Sequence, residues 1–311
     1  MKHLISVITV YRNAEATLGL VFGSILRQKG HFSAEFIFVD DASTDGSAAL
    51  VADFAASHPE LKIQQISMPE HPGLARASKA AIDNVARGEY IMRLDADDTL
   101  TDDALSTMLG ATDGGNADIV VTPFAIHRGP SVTTQSTAGF HTDLNGMPVD
   151  VMYFSLCNKL IRRSLLTRPD MYLLPGIECW EDLGVTSRIY ARRPKIAVVD
   201  RAIYNYMLDP NRPSLTRDRK ARVIADHIAM ARRLEQWFEE QGLAGEYTEF
   251  LSNLKFHAKF DYIHGHGKNL KAWKTTFPEV NRGVMGRRNV KLRHRLVCLI
   301  ASLIPKALLK P

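Results

Sequence analysis

The nine residues from Tyr90 to Asp98, YIMRLDADD, carry the most informative pattern of the chain. Their first part is apolar and indicates a buried β-strand, and the carboxylates of Asp95 and Asp97 follow it directly. Two carboxylates at this spacing can reach one hard cation, Mg²⁺ or Mn²⁺, which takes its remaining ligands from waters and substrate phosphates. The stretch therefore predicts a metal and diphosphate site at a strand end. A second interpretation is an acidic loop in which Asp98 or Thr99 caps the next helix.

On either side of this stretch, apolar β-rich runs alternate with helical patterns. The alternation is typical of βαβ units and predicts an α/β fold with a mostly parallel central sheet flanked by helices. Ligands of such sheets bind outside the carboxyl ends of the strands, where the acidic segments 40–45 and 95–98 fall. Residues 127–150 predict a loop or a short hairpin. The predicted strands are Leu4–Tyr11, Glu35–Asp41, Leu61–Met68, Glu89–Asp95, Ala117–Ile126 and Ile196–Met207, and the predicted helices are Ala14–Gln28, Ser47–Ser57, Leu74–Arg87, Asn158–Leu166, Glu181–Arg192, Ala221–Gln241 and Tyr247–Ile263.

The composition is that of a globular protein. Its 311 residues, 45% hydrophobic and 23% charged, fit one large domain or one domain with an appendage. The three cysteines have no CxxC spacing, which argues against a disulfide framework and a zinc site and fits a reducing cytoplasm. The apolar run from Leu4 to Val10 is too short for a secretory signal, and no stretch has the length needed to span a bilayer. We therefore expect a cytoplasmic protein.

Charge is spread unevenly along the chain. Eight basic residues and no acidic ones lie between Arg282 and the end, so the overall charge of +5 leaves −3 on the first 281 residues. The mostly apolar stretch Val297–Leu309 follows the basic cluster. Two interpretations are open: this tail lies in the plane of an anionic membrane surface, at the inner face of the plasma membrane, or it is a helix docked on the body with its charges in water. Nucleic acid is a poorer partner, because the tail lacks interleaved aromatic residues.

Six segments in a fixed order carry a family resemblance: ISVITVYRNAEATL (5–18), EFIFVDDASTDGS (35–47), HPGLARASKAAI (71–82), YIMRLDADD (90–98), CNKLIRRSLL (157–166) and WEDLGVTSRIY (180–190). This series resembles family 2 glycosyltransferases, which have the nucleotide-diphospho-sugar transferase fold called GT-A. The resemblance covers about residues 4–215. It implies a catalytic domain at residues 1–215 and leaves residues 216–311 as a helical extension with the basic tail.

The same resemblance implies an activity. A family 2 enzyme of the implied kind moves a sugar from a nucleotide-diphosphate donor, expected here to be a UDP-sugar, to a hydroxyl of a glycan or lipid-linked acceptor, with inversion at the anomeric carbon. It implies Mn²⁺ or Mg²⁺ as cofactor and a role in bacterial surface polysaccharide or glycolipid synthesis.

For the donor nucleoside, the resemblance implies that Thr9 and Tyr11 line the pocket and that Asp40 accepts a hydrogen bond from a base N–H. A site built for that bond penalises ligands that lack it. The residues alone leave open that Tyr11 only completes the core. Residues 43–45 are expected to cap the following helix.

For the donor phosphates, Gly73 opens a helix whose first turns carry Arg76 and Lys79, and a helix N-terminus with cations is a natural phosphate site. The family pattern Gly-x-x-x-Ala-Arg-Asn is not kept, since Ser78 stands where arginine is expected and Lys79 where asparagine is expected. Lys79 or Arg76 then supplies the missing charge, although lysine cannot reproduce a bidentate guanidinium fork. The alternative for Arg76 is a solvated surface charge.

For metal and catalysis, the resemblance makes Asp95 and Asp97 the metal pair, with Asp95 nearer the ribose and Asp97 on the cation. It does not assign Asp98 to the metal. Asp182 is implied as the general base toward the acceptor hydroxyl, with Glu181 as second choice. The alternative is a pair of helix N-terminal acids favoured by the helix dipole.

Three further basic residues match the family pattern without an assigned chemistry. Lys159 is expected to be structural or near the acceptor, and Arg212 and Arg217 are candidates for a basic loop over the diphosphate. Two rival functions remain. A sugar nucleotidyltransferase would carry a Gly-rich basic loop after its first strand, which VYRNAEATL lacks. A catalytically silent protein that binds a nucleotide sugar stays open because of the departure at Ser78 and Lys79.

Overall fold

The computed structural model describes residues 4–137, 140–171, 176–209, 220–264, 269–287, 290 and 292–304. The chain divides into two compact units. The first comprises Met1–Phe140, Phe154–Leu173 and Arg188–Arg212, and the second comprises His141–Tyr153, Leu174–Ser187 and Pro213–Pro311. The predicted boundary between residues 215 and 216 lies outside the described residues and stays a prediction.

All strands of the described residues belong to the first unit and form two sheets. They are β1 Leu4–Tyr11, β2 Ser33–Asp40, β3 Ile63–Ser67, β4 Tyr90–Arg93, β5 Thr99–Leu100, β6 Ile119–Val121, β7 Phe124–Arg128, β8 Ser131–Thr134, β9 Lys159–Arg162, β10 Ile196–Val198 and β11 Tyr204–Met207. The larger sheet has the order β10-β6-β9-β4-β1-β2-β3 and is parallel except for β9, which runs antiparallel to β4 and β6. The smaller sheet has the order β5-β11-β7-β8. The predicted α/β fold with a mostly parallel central sheet is confirmed.

Helices accompany the sheets in the first unit and make up most of the second. They are α1 Leu18–Leu26, α2 Ser47–Ser57, α3 Leu74–Asn84, α4 Ala104–Gly110, α5 Val151–Phe154, α6 Arg163–Leu166, α7 Glu181–Tyr190, α8 Lys220–Glu240, α9 Thr248–His264, α10 Leu270–Thr275 and α11 Leu292–Leu303. Short 3₁₀ turns lie at Pro278–Asn281 and Val284–Gly286. Among the helices whose residues are described, none is long and apolar enough to cross a membrane.

The central strands are buried on both faces, as expected of a parallel sheet covered by helices. In β1, seven of eight residues are buried. The buried carboxylate of Glu35 accepts hydrogen bonds from the Ser6 hydroxyl (2.5 Å) and from the backbone N–H of Arg87 (2.6 Å) and Gly88 (3.2 Å). It therefore ties β1 and β2 to the chain entering β4. A Cβ at Gly88 would lie 2.5 Å from the Ser6 nitrogen, so only glycine fits this approach.

Three sequence-based assignments are corrected. Ala117–Ile126 is not one strand: it divides at Pro123, which lacks the N–H that a continuous ladder needs, so β6 and β7 join different sheets. Ile196–Met207 likewise divides into β10 and β11. Asn158–Leu166 was expected to be helical but contains strand β9, because Leu160 and Ile161 are buried between β4 and β6. Of the loop or short hairpin predicted for residues 127–150, a hairpin is present, but it begins before that range because its strands β7 and β8 span residues 124–134.

Candidate active site

The two acidic segments follow strands that lie close together in the central sheet. β1 pairs in parallel with both β2 and β4, with Tyr11 opposite Asp40 and Ile8 opposite Arg93. The carboxyl ends of the three strands therefore meet at one edge of the sheet, and the segments after Asp40 and after Arg93 both begin there. Both acidic segments thus lie at the carboxyl edge of the sheet, as the sequence predicts. That this edge binds the ligand stays a prediction.

The Asp40–Asp41 turn holds two buried carboxylates with different surroundings. Asp40 accepts a hydrogen bond from the backbone N–H of Ser43 (2.9 Å). Asp41 contacts Nδ1 of His71 through Oδ2 (2.6 Å), whereas its Oδ1 is buried and has no hydrogen-bond partner among the described residues. Ala42, between Asp41 and Ser43, adopts a left-handed backbone with φ 59°. Asp41 is thus a carboxylate with a buried oxygen left to accept a hydrogen bond, and the sequence analysis did not single it out.

Residues 43–45 hold the adjoining loop. The Ser43 hydroxyl accepts from the Asn13 N–H (3.1 Å), and the Thr44 N–H donates to the Asn13 side chain (2.8 Å). Asp45 accepts from the Ser47 N–H (3.0 Å) at the start of α2. Of the three residues expected to cap α2, Asp45 alone contacts its first N–H, from the position before the N-cap Gly46, while Ser43 and Thr44 bond to Asn13 after β1.

Thr9 and Tyr11 are each only 1% exposed. The Tyr11 ring belongs to the hydrophobic core, its hydroxyl accepts a hydrogen bond from Gln65 Nε2 (2.8 Å), and burial raises the pKa of Tyr11 to about 12. This burial favours the alternative that Tyr11 completes the core. The contact of Thr9 and Tyr11 with a base stays a prediction.

The three positions expected near the phosphates have different environments on α3. Arg76 is exposed. The Lys79 ammonium forms an ion pair with Asp83 one turn later. Ser78 is buried, its hydroxyl has no hydrogen-bond partner among the described residues, and it lines a small cavity together with Arg93. The charge of Lys79 is thus already matched within the helix, which leaves Arg76 as the better placed of the two cations for an anionic ligand.

In the Asp95–Asp98 turn, Asp95 and Asp97 are accessible to a ligand, whereas the Asp98 carboxyl group is buried and structural. Asp97 is exposed and Asp95 is partly exposed, with the Arg93 Nε donating to Asp95 at 3.0 Å. Asp98 is buried and accepts from the Tyr204 hydroxyl (2.8 Å) and the Met207 N–H (2.8 Å). Burial, followed by the charges of Asp95 and Asp97, raises the pKa of Asp98 to about 8.

Tyr204 completes this arrangement, because its hydroxyl also accepts from the Asp95 N–H (3.1 Å). Strand β11 therefore holds the turn between Asp95 and Asp98 at two points. The helix-capping interpretation of Asp98 and Thr99 is wrong: Thr99 lies in β5, and α4 begins later, at Ala104. The residues between Asp98 and α4 form strand β5 and a turn, which the sequence spacing did not indicate.

Glu181 and Asp182 open α7 in the second unit, in a corner held by α8. The Asp226 carboxylate accepts from the N–H groups of Glu178 (2.9 Å) and Cys179 (3.1 Å). The Trp180 ring stacks on His227 with centroids 3.9 Å apart, and Trp180 has a left-handed backbone with φ 68°. This strained corner fixes where the helix carrying Asp182 begins. No sequence signal pointed to Asp226 or His227, and the role of Asp182 as a base stays a prediction.

Three basic candidates remain, of which only Lys159 lies among the described residues. Lys159 is fully buried and donates to the Ser155 carbonyl (2.6 Å) and the Asn158 side chain (2.7 Å), which supports a structural role. Arg212 and Arg217 lie outside the described residues.

The turn that carries Asp95 and Asp97 could hold a divalent cation only if a bound ligand or water supplied further oxygen atoms. In the described part of the chain no group of three or more His, Cys, Asp or Glu side chains could hold a metal by itself. Mg²⁺ and Mn²⁺ commonly take one or two carboxylates and complete their shell with waters and substrate phosphates. Asp95 and Asp97 supply oxygens of that kind, so the donor set fits a cation that arrives with a diphosphate.

Comparison with solved structures defines the class of fold. The crystal structure of residues 1–349 of TarS from Staphylococcus aureus aligns with 97% of this chain and 89% of its own, with a TM-score of 0.63 and 20% identity. The structure of the same protein in complex with UDP aligns with 91% of this chain and 78% of its own, with a TM-score of 0.61 and 20% identity. The fold is therefore of the GT-A type.

The sequence profile of "Glycosyl transferase family 2" matches residues 6–168, which is more than half of the 311 residues. The chain belongs to this family.

Curated relatives agree with that assignment. The succinoglycan biosynthesis protein ExoO of Rhizobium meliloti is 35% identical over 115 residues, which are 37% of this chain and 31% of the relative. The cholesterol galactosyltransferase of Borreliella burgdorferi is 24% identical over 220 residues, which are 65% of this chain and 60% of the relative. The matches thus cover less than two thirds of either relative.

Proposed function

We propose that this protein is an inverting glycosyltransferase that uses a UDP-sugar donor and a hydroxyl of a glycan or lipid-linked acceptor. The observation that carries the proposal is the meeting of the Asp40–Asp41 and Asp95–Asp97 segments at one edge of a GT-A sheet. The names of relatives support the context, since one takes part in succinoglycan biosynthesis and another is a poly(ribitol-phosphate) β-N-acetylglucosaminyltransferase. Solved structures with this fold hold UDP or UDP-GlcNAc.

In this proposal the buried carboxylates after β2 select the base. Asp40 is the residue implied by the family, and Asp41 offers a buried oxygen without a partner among the described residues. Uracil presents an N3–H donor, so a carboxylate oxygen facing it gains a hydrogen bond that cytosine cannot supply. A buried acceptor left unpaired disfavours the wrong base by roughly 1–3 kcal/mol.

The turn after β4 meets the diphosphate. Asp97, with Asp95, would hold a divalent cation whose other ligands come from the donor phosphates, and this cation would offset the charge on departing UDP. Exposed Arg76 provides a cation from α3. Tyr204 and Asp98 keep the turn in place.

Asp182 is the proposed base. It takes the proton of the acceptor hydroxyl, and the oxygen forms a new bond to the anomeric carbon from the face opposite the leaving group. The bond from that carbon to the β-phosphate oxygen breaks, and UDP departs with the electron pair. Configuration at the anomeric carbon is inverted.

Assays with a panel of UDP-sugars and Mn²⁺ test the proposal. We expect turnover, a product of inverted configuration by NMR, and a loss of about 10²- to 10⁴-fold in kcat for Asp182→Asn with unchanged UDP affinity. Glu181→Gln is the matched control. Turnover that survives Asp182→Asn would remove this residue from the mechanism, and retention of configuration would refute inversion.

A second candidate function is a silent protein that binds a nucleotide sugar. It is favoured by the ion pair that occupies Lys79 and by the buried serine at position 78, where the family expects arginine. Tight UDP binding by calorimetry, without turnover of any donor in the panel, would support this candidate over the enzyme.

A further inference from the structure

The last helix of the described chain, α11, carries large apolar side chains that face solvent. They are Leu292 (56% exposed), Leu296 (44%), Val297 (42%), Ile300 (63%) and Leu303 (73%). At about 100° of rotation per residue, the four residues other than Val297 fall within roughly a quarter turn of one another, and these four are called the exposed face of α11 below. A soluble surface seldom exposes so many adjacent large apolar groups, so this face marks an interaction surface.

The opposite side of α11 is fixed within the second unit. Cys298 is fully buried and Ala301 nearly so. Buried Lys274 donates to carbonyls at the end of the helix, and the Arg295 Nη1 donates to the Met285 carbonyl at 2.6 Å. These contacts hold the helix by one side. On this side α11 packs against the second unit, as the interpretation of a docked helix predicts. The apolar residues of the other side face solvent.

Charge narrows the choice of partner. The chain from Arg282 onward contains eight basic residues and no acidic one. Of these, Arg282 and Arg293 are exposed, and Arg293 lies beside Ile300 on the helical projection. A symmetric contact between two copies of the chain would place this basic segment against itself, which repulsion disfavours. A surface of anionic lipids instead offers both an apolar layer and compensating charge.

We propose that the exposed face of α11 lies in the headgroup region of an anionic lipid bilayer, with Arg293 at the phosphate level. The helix has twelve residues and is about 18 Å long, so it would lie along the surface. The rest of the predicted tail, residues 305–309, lies outside the described residues and is not needed for this contact.

Co-sedimentation of the full chain with vesicles tests the proposal. The wild type should sediment with vesicles of phosphatidylcholine and phosphatidylglycerol, much less with phosphatidylcholine alone, and less at high salt. The triple variant Leu296→Ser, Ile300→Ser, Leu303→Ser should bind anionic vesicles about tenfold or more weakly. Arg282→Gln with Arg293→Gln should weaken binding to anionic vesicles and leave any residual binding to neutral ones unchanged.

The matched control replaces three exposed apolar residues of the first unit, Leu20, Leu26 and Val132, by serine. It should bind like the wild type. Circular dichroism melting establishes that each variant is folded. The proposal is overturned if the wild type does not bind anionic vesicles, if the control loses binding as much as the α11 variant, or if ultracentrifugation shows a wild-type dimer that the α11 substitutions dissociate while vesicle binding stays unchanged.

Discussion

At the scale of single residues, Asp40 and Asp41 after β2 differ most clearly in their hydrogen bonding. Asp40 already accepts a hydrogen bond from Ser43, whereas Asp41 has a buried oxygen that no described residue satisfies. We predict that Asp41→Asn lowers the preference for UDP over CDP by about tenfold, because an amide can donate to cytosine N3 as well as accept from uracil N3–H.

Calorimetry with UDP and CDP measures this preference, and Asp40→Asn is the matched comparison. A larger loss of preference for Asp40→Asn than for Asp41→Asn would contradict the assignment to Asp41 and support the residue implied by the family pattern.

The sequence alone could place the acidic residues at strand ends, but it could not show which carboxylates are buried or hydrogen-bonded. The apolar runs before Asp40 and Asp95 identified the strands, and parallel topology then required their ends to meet. Hydrogen bonds between distant positions, such as Tyr204 to Asp98 or His71 to Asp41, depend on the packing of separate elements. Nothing in the local sequence of either partner encodes such a pairing, so the sequence could set Asp98 apart from the metal pair but could not show that it is buried and bound by Tyr204.

At the scale of elements, strand β11 supports the turn that carries Asp95 and Asp97. Tyr204→Phe removes the hydroxyl that donates to Asp98 and accepts from the Asp95 N–H. We predict a loss of about 1–3 kcal/mol in the free energy of unfolding and a higher Mn²⁺ concentration for half-maximal activity, because buried polar groups lose their partner and the turn is freed. Denaturant titration and metal titration measure the two effects.

Tyr206→Phe, two residues along the same strand, is the control, since removing its hydroxyl breaks no hydrogen bond found among the described residues. Equal effects of the two substitutions on metal dependence would show that the Tyr204 hydroxyl does not position the turn.

Helix α8 supports the other proposed catalytic element. The Asp226 carboxylate accepts hydrogen bonds from the N–H groups of Glu178 and Cys179, directly before the corner that leads to Asp182. We predict that Asp226→Ala lowers kcat about tenfold or more while UDP affinity stays within about twofold, because the buried N–H of Cys179 and the partly buried N–H of Glu178 lose their acceptor and the start of α7 shifts. Asp226→Asn keeps one acceptor oxygen and should restore part of kcat. A rise in the UDP dissociation constant with unchanged kcat would contradict this role.

Contacts between elements also explain which secondary-structure predictions were wrong. β9 has a pattern compatible with a helix, and it became a strand because β4 and β6 offer ladder partners on both sides. The breaks at Pro123 and between β10 and β11 send the chain from one sheet to the other. Local periodicity does not distinguish one long strand from two strands in different sheets, so these divisions required the tertiary structure.

At the scale of the whole molecule, the two units have buried titratable groups that act in opposite directions. In the first unit, the raised pKa of Asp98 means that the folded state binds more protons between about pH 4 and pH 8, so its contribution to stability falls as pH rises through that range. In the second unit, burial, which is the largest cause, lowers the pKa of both His227 and His257 to about 4. For these histidines the unfolded chain binds more protons between about pH 4 and 6.5, so stability falls as pH decreases through that range.

We predict that lowering the pH from about 7.5 to about 5.5 weakens the histidine contribution by about 1 kcal/mol for each residue, which follows from folded pKa values near 4 against an unfolded value near 6.5. The double variant His227→Phe, His257→Phe keeps aromatic rings beside Trp180 and Phe256 but cannot take up protons. Urea unfolding at the two pH values should therefore show a smaller decrease for the variant than for the wild type, by roughly 2 kcal/mol. The opposing effect of Asp98 on stability is common to both proteins, so it cancels when the two decreases are compared. An equal decrease in both would mean that the folded second unit accepts these protons as readily as the unfolded chain, and that its buried histidines do not limit its stability in acid.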